Sequence, residues 1–109
     1  MRRDEIPPGT LYLLVLKTLA RHGELHGYEI AEAIERASED VLQVEEGSLY
    51  PALQRMLLKG WVTAEWGVTA GNRRARYYRL TGEGQRQLAQ EQSQFERVFG
   101  AIARVIQTA

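Results

Sequence analysis

The side chains best suited to act on another molecule in this sequence are basic and form two clusters. Arg73, Arg74 and Arg76 fall within four positions of one another, and Arg55 and Lys59 are four positions apart. Guanidinium and ammonium groups on neighbouring elements bind nucleic-acid phosphates. Each cluster alone is as typical of a solvated surface as of a phosphate-binding one. The prediction of a phosphate-binding face therefore depends on the two clusters lying side by side.

A second set of side chains is suited to reading the edges of DNA bases. Residues 46–59 have the hydrophobic spacing of a helix, and its early part carries Ser48, Tyr50, Pro51 and Gln54. Small residues near a helix N-terminus allow close approach to DNA, and Tyr50 and Gln54 can hydrogen-bond in the major groove. We therefore expect this segment to be the recognition helix of a DNA-binding protein.

Catalytic and metal chemistry are not predicted. His22 and His26 have a spacing that can hold a metal on a helix, but Gly23 and Gly27 interrupt the segment and the sequence has no cysteine. Ser48 has no base in an evident pair, and the carboxylates fall on a solvated helix face. The sequence therefore predicts no enzyme, no metal site and no cofactor.

Composition predicts one small cytoplasmic domain whose charge is unevenly distributed. The 109 residues are 44% hydrophobic, and they contain neither a membrane-length apolar run nor a signal-peptide pattern. The formal net charge is zero, but residues 24–46 carry eight acidic residues and one basic residue, whereas residues 55–86 carry seven basic and two acidic residues. Such segregation can present one basic face to phosphates while the molecule stays neutral.

The elements that position these side chains follow from hydrophobic periodicity. In chain order they are helices over about 11–20, 27–38 and 46–59, two strands flanking a loop at 67–75, and a helix over about 82–107. Gly71-Asn72 is a strong turn signal, so the strands and loop form a hairpin, or wing, whose tip carries the three arginines.

Particular residues are expected at helix ends and on helix faces. Thr10, Ser48 and Thr81 are predicted N-caps, and Pro51 is predicted in the first helical turn, where its missing N–H is harmless. Tyr28 is placed at the inner edge of its helix, and Ala52 is placed on the outward side with Arg55 and Lys59. The aromatic residues Trp66, Tyr78, Phe95 and Phe99 are predicted to pack in the core or a dimer contact in preference to forming a ligand box.

The apolar pattern of the last helix predicts an interface between two copies of the chain. Its apolar residues recur at alternating spacings of four and three, interrupted by Gln92. The predicted seam consists of Leu88, Phe95, Val98, Phe99, Ile102 and Ile106. Nothing in the chain is expected to cover this helix, so residues 82–109 form a dimerisation helix attached to a DNA-binding domain at 1–81. A flat aromatic or hydrophobic effector held in the seam is a further expectation.

Four motifs carry a family resemblance over nearly the whole chain. They are Gly9-Thr10-Leu11, Leu25-His26-Gly27-Tyr28-Glu29-Ile30, Gly47-Ser48-Leu49-Tyr50-Pro51-Ala52-Leu53, and Arg76-Tyr77-Tyr78-Arg79-Leu80-Thr81 with Gly84. In this order they resemble the PadR family of transcriptional regulators. The stretch from Trp66 to Tyr78 is similar to a branch described from acidobacterial genomes, and the tail resembles members with a single C-terminal helix.

The resemblance implies a winged helix-turn-helix fold, mainly α with a small β component. It also implies a homodimeric repressor on a palindromic operator, with Tyr28, Ser48, Tyr50 and Pro51 at or near the DNA and the wing on the flanking backbone. Some members respond to phenolic acids or flat hydrophobic drugs. This chain departs from the drug-responsive members because its last helix has no tryptophan. Met56-Leu57-Leu58 also replaces an acidic residue that usually follows the equivalent arginine.

An alternative hypothesis is a winged helix that serves as a protein-interaction module. The outer face of the second helix is acidic and supports it, with Glu29, Glu32, Glu35 and Glu39. Retention on heparin or random duplex DNA at low salt separates the two hypotheses, because a protein adapter should flow through.

Overall fold

The computed structural model describes residues 3–108 and has an α+β architecture, as expected from the sequence. Its elements in chain order are β1 (Asp4–Glu5), α1 (Leu11–His22), β2 (Glu24–His26), α2 (Gly27–Ala37), β3 (Leu42–Gln43), α3 (Glu46–Leu58), β4 (Val62–Val68), β5 (Arg74–Leu80) and α4 (Gly82–Gln107). Three helices are thus followed by a hairpin and a long helix, which is the predicted winged-helix order.

Three antiparallel strands form the main sheet in the order β2–β5–β4, so β5 is central. Tyr78 of β5 lies opposite Leu25 of β2 and Ala64 of β4. Periodicity did not indicate β2, because three residues are too few to establish an alternation. A separate parallel pairing joins β1 to β3 and so ties the chain before α1 to the segment before α3.

The core lies between α1, α2, α3 and the inner face of the sheet. Its buried members are Val15, Leu16, Leu19, Ile30, Ile34, Val44, Leu49, Leu53, Met56, Val62 and Tyr78. Burying a large apolar side chain contributes roughly 1.5–3 kcal/mol, so this cluster is the main source of stability.

Two residues lie on the opposite side from the one expected. Ala52 is fully buried rather than outward, because it is three residues from Leu49 and four from Met56 and therefore shares their side of α3. Tyr28 is 65% exposed rather than at the inner edge of α2. It lies two residues before the buried Ile30, which places it on the far side of the helix.

The start of α3 also differs from the prediction. Its N-cap is Glu45, and Ser48 is the third helical residue, whose N–H donates to the Glu45 carbonyl at 3.0 Å. Pro51 therefore lies in the second turn, where it has no N–H to donate to the Gly47 carbonyl. The helix begins early because buried Val44 anchors the preceding segment.

The ends of the other helices are partly as predicted. Thr81 caps α4, with its Oγ1 accepting from the Gly84 N–H at 3.0 Å. Thr10 precedes α1 but does not cap it through its side chain; its hydroxyl donates to the Pro7 carbonyl at 2.7 Å. Gly60 follows α3 with a φ of 76°, a left-handed conformation that glycine adopts without strain.

The wing loop spans residues 69–73 and is shorter than the predicted 67–75. Asn72 has a φ of 63°, and its N–H donates to the Thr69 carbonyl at 2.9 Å. The Thr69 hydroxyl accepts from the Arg73 N–H at 3.2 Å. Arg73 therefore lies in the loop, whereas Arg74 and Arg76 belong to β5.

The two halves of the 26-residue α4 have different surroundings. Its first half packs on α1 and β5, and Leu88 packs against the chain's own core. The expectation that α4 has nothing to pack on is therefore wrong for this half, where Leu88 is partly buried. The second half exposes Phe95, Val98, Phe99, Ile102, Val105 and Ile106. Within residues 3–108, neither α4 nor another helix has the length and apolarity to cross a bilayer.

Candidate nucleic-acid interface

A groove of about 850 Å³ separates the start of α2 and α3 from the wing. Tyr28 of α2 and Tyr50 of α3 line one side, and Trp66, Arg74 and Arg76 line the other. The predicted recognition helix and the basic hairpin therefore face a common space. The wing tip adds Arg73 to the same lining.

The close approach of α3 to the N-terminus of α2 determines where Tyr50 lies. A Cβ atom on Gly27 would lie 2.7 Å from the Cε1 and 2.8 Å from the hydroxyl of Tyr50, so the ring occupies space that only glycine leaves open. His26 and Glu29 form a capping box at this end of α2. Tyr50 is thereby placed against a fixed backbone while 46% of its surface is exposed.

The wing arginines contact an aromatic ring. The guanidinium carbon of Arg74 is 4.7 Å from the centre of the Trp66 ring, and that of Arg76 is 5.8 Å from it. Both distances lie within the range of cation–π attraction. Trp66 itself is 61% exposed and lines the groove, so it does not belong to the core, which was one of the two places predicted for it.

Four arginines elsewhere in the described chain pair with glutamates, but the three wing arginines do not. The ion pairs are Arg3–Glu35, Arg36–Glu32, Arg79–Glu24 and Arg86–Glu83. Within residues 3–108, Arg73, Arg74 and Arg76 have no carboxylate within ion-pair distance. The positive charge of the groove is therefore not neutralised internally and can attract an external anion.

Tyr78 lines the groove and is almost fully buried. Burial raises the pKa of its hydroxyl above 10.0, Arg76 opposes the shift, and Tyr50 adds to it. The hydroxyl is therefore protonated at neutral pH and can donate a hydrogen bond.

Arg55 and Lys59 lie outside the groove, in contact with a different aromatic pair. The Arg55 Nε donates to the Tyr12 hydroxyl, and its guanidinium carbon is 5.7 Å from the centre of that ring. The Lys59 Nζ is 5.3 Å from the centre of the Trp61 ring, which packs edge-on against Tyr12. These two cations form a second basic cluster at the C-terminal end of α3, separate from the wing.

The remaining predicted site residues lie on the exposed part of α3. Ser48, Pro51 and Gln54 are exposed, and none of them lines the groove. Ser48 instead borders a small recess of about 120 Å³ beside Gln43 and Glu45. Of the ten predicted DNA-contacting residues, the structure thus brings five into one groove.

Sequence reasoning missed Trp66 and His26 as groove residues. Alternation correctly places Trp66 on the same face of β4 as Val62 and Ala64, but β4 extends beyond the core at that point, so the ring is exposed. His26, considered earlier as a metal ligand, accepts from the Glu29 N–H at 3.4 Å through its Nδ1 and also lines the groove. Across residues 3–108 no three histidine or acidic side chains are grouped as a metal site would need.

Comparisons with known proteins identify a family. A model described as the transcriptional regulator PadR-like family matches residues 15–90. A solved transcriptional regulator from Clostridium thermocellum is similar, with a TM-score of 0.79 and 27% identity over 88% of this chain and 92% of that chain. A PadR family transcriptional regulator from Eggerthella lenta has a TM-score of 0.77 and 27% identity over 93% of this chain and 85% of that chain.

One similar structure contains DNA. It is PadR of Bacillus subtilis in complex with operator DNA, with a TM-score of 0.66 and 25% identity. The match covers 77% of this chain and 47% of that chain.

Proposed function

Because the chain belongs to the PadR-like family of transcriptional regulators, we propose that it binds operator DNA as a homodimer and represses transcription in the cytoplasm. Members of this family are regulators and not enzymes. The observation that carries the proposal is the shared groove, in which Tyr28 and Tyr50 face Arg73, Arg74 and Arg76.

Base recognition is assigned to the exposed face of α3. Ser48, Pro51 and Gln54 are accessible together with Tyr50 and lie in the part of the helix that enters a major groove in helix-turn-helix proteins. Small side chains let the backbone approach, and Gln54 can hydrogen-bond to adenine.

Backbone binding is assigned to the two cationic clusters on either side of that face. The wing arginines lack internal carboxylate partners within residues 3–108, and Arg55 and Lys59 have exposed surface at the far end of α3. Contacts with phosphates on both flanks would fix the register of the helix without reading sequence.

Dimerisation is assigned to the outer half of α4. Phe95, Val98, Phe99, Ile102 and Ile106 leave a continuous apolar stripe uncovered, and such stripes mark interfaces. A two-fold dimer would place its recognition helices about 34–36 Å apart, one turn of duplex, on a palindromic operator. Phe95 and Phe99 stack with ring centres 5.4 Å apart, and a small aromatic or hydrophobic effector bound beside them would release the DNA.

The protein-interaction alternative is less favoured because the acidic face of α2 is largely used internally. Glu35 accepts from the Val44 N–H at 2.9 Å, and Glu29 accepts from the His26 N–H at 3.1 Å. Glu32 pairs with Arg36 at 3.4 Å.

The wing is tested by replacing Arg73 and Arg74 together with alanine. Binding to duplexes selected from a random pool should weaken on all sequences, and the slope of log K against log salt should fall by about 0.9 for each phosphate that the variant no longer neutralises. The matched control replaces Arg36 and Arg86, which have the same charge but lie outside the groove lining. Equal affinity and slope in both double variants would contradict the proposal.

The dimer is tested by Ile102→Glu, with Ser93→Glu as the control that adds the same charge on the opposite side of α4. Light scattering should give a monomer mass for Ile102→Glu and a dimer mass for wild type and control. A dimeric Ile102→Glu protein would show that the interface lies elsewhere.

A further inference from the structure

The ring of Trp66 contacts two arginine side chains. The rings of buried aromatic residues normally contribute to the core, but 61% of Trp66 is exposed, and the two guanidinium groups of Arg74 and Arg76 approach its ring to 4.7 and 5.8 Å. Its position is therefore not explained by core packing.

The register of the hairpin places these three side chains on one face. Arg76 lies directly opposite Trp66, and Arg74 lies opposite Val68, two residues further along β4. Since alternate residues of a strand point to the same face, Trp66, Arg74 and Arg76 share the face that borders the groove. Val68 lies on the same face of the hairpin but does not line the groove.

Arg76 is held close to the hairpin. Its Nε is buried and has no hydrogen-bond partner in the described chain, although the side chain as a whole is only partly buried. A free arginine would turn this donor to water. The terminal nitrogen atoms remain available for an anion.

We infer that Trp66 is a positioning residue that holds Arg74 and Arg76 toward the groove before DNA arrives. Long basic side chains lose rotamer freedom when they bind, and stacking on a ring in the free protein removes part of that loss in advance. The ring suits this task better than a glutamate, because it orients the guanidinium groups without neutralising their charge. The inference rests on the proposed DNA binding.

The arrangement is tested first without DNA, by NMR. The Trp66 ring current should move the side-chain δ protons of Arg74 and Arg76 upfield. Trp66→Leu should return them to ordinary positions, and Trp66→Phe should retain part of the shift. Val68→Ala, which alters an exposed apolar side chain on the same face, is the control and should leave the shifts in place. Ordinary shifts in the wild type would overturn the inference.

The consequence for binding is tested on duplex DNA selected from a random pool. Trp66→Leu should weaken binding about three- to tenfold on all sequences, as expected when two arginine side chains must lose more of their rotamer freedom on binding. Trp66→Phe should recover most of the affinity, and Val68→Ala should bind as wild type. An unchanged melting temperature shows that the variants remain folded.

The decisive comparison uses a chain in which Arg74 and Arg76 are both alanine. There Trp66→Leu should cause no further weakening, because no cation remains to be positioned. An equal weakening in both backgrounds would overturn the inference by showing that Trp66 contacts DNA itself. If the wild type and Trp66→Leu bind DNA equally well, the inference is overturned while the proposed function stands. If the wild type binds no duplex, the proposed function is overturned, and the inference with it.

Discussion

Gly27→Ala should impair DNA binding while leaving the fold intact. The new methyl group would lie 2.7 Å from the Tyr50 ring, whereas ordinary van der Waals contacts begin at 3.4 Å, so the ring must retreat by about 0.7 Å or more. Tyr50 can make this movement because 46% of its surface is exposed. The helix itself should tolerate the change, because Gly27 begins α2 and does not have the positive φ that would strain an alanine.

The expected weakening follows from displacing a side chain in the proposed interface. Removing one directed hydrogen bond costs about 1–2 kcal/mol, which corresponds to a roughly 5- to 30-fold weaker complex. Fluorescence anisotropy on a labelled duplex measures the affinity, and urea unfolding should give a free energy of unfolding within about 1 kcal/mol of wild type.

The double variant Gly27→Ala, Tyr50→Ala separates this mechanism from a general disturbance of α2. Once the Tyr50 ring is gone, Gly27→Ala should have no further effect on affinity. Wild-type affinity in Gly27→Ala, or an equal weakening in the two backgrounds, would refute the reasoning.

Two further predictions concern stability. A Cβ on Gly84 would lie 2.1 Å from the Trp61 carbonyl oxygen, a backbone atom that cannot rotate away, so Gly84→Ala should lower the free energy of unfolding by at least about 1–3 kcal/mol in urea titrations. Gly82→Ala, in the same helical turn but in open space, should not lower it, and matching values for the two variants would contradict the argument. Because burial raises the pKa of folded Tyr78 above 10.0, its stabilising contribution should be complete below that pH and be lost as pH rises through the folded pKa. Unfolding free energies at about pH 9 and pH 11 should therefore differ less in Tyr78→Phe than in wild type; an identical difference would show that Tyr78 is not the group responsible.

Hydrophobic periodicity was sufficient to predict the long elements. The bounds of α4 match the prediction because Thr81 provides a cap and the apolar spacing continues for many turns. Helix α2 is also close to prediction, since Ile30 and Ile34 mark one strongly buried side. Local signals are reliable where they agree with the packing.

The errors arise where tertiary contacts override a local signal. Ser48 is a good N-cap residue type, but the anchoring of Val44 starts α3 before it. Trp66 lies on the inward face of its strand, but the hairpin extends beyond the core at this point and the ring is exposed. Arg55 and the wing arginines are all basic, but only the fold determines that Tyr12 holds Arg55 outside the groove.

The division of α4 into a covered and an uncovered half has a consequence for how the protein denatures. An isolated helix shorter than about 12–15 residues is only marginally stable in water, and the segment from Phe95 onward has few neighbours in its own chain. In the proposed dimer, the helical state of this segment should therefore depend on the partner surface and on protein concentration. On dilution, circular dichroism should register partial loss of ellipticity from this segment while the winged domain remains folded.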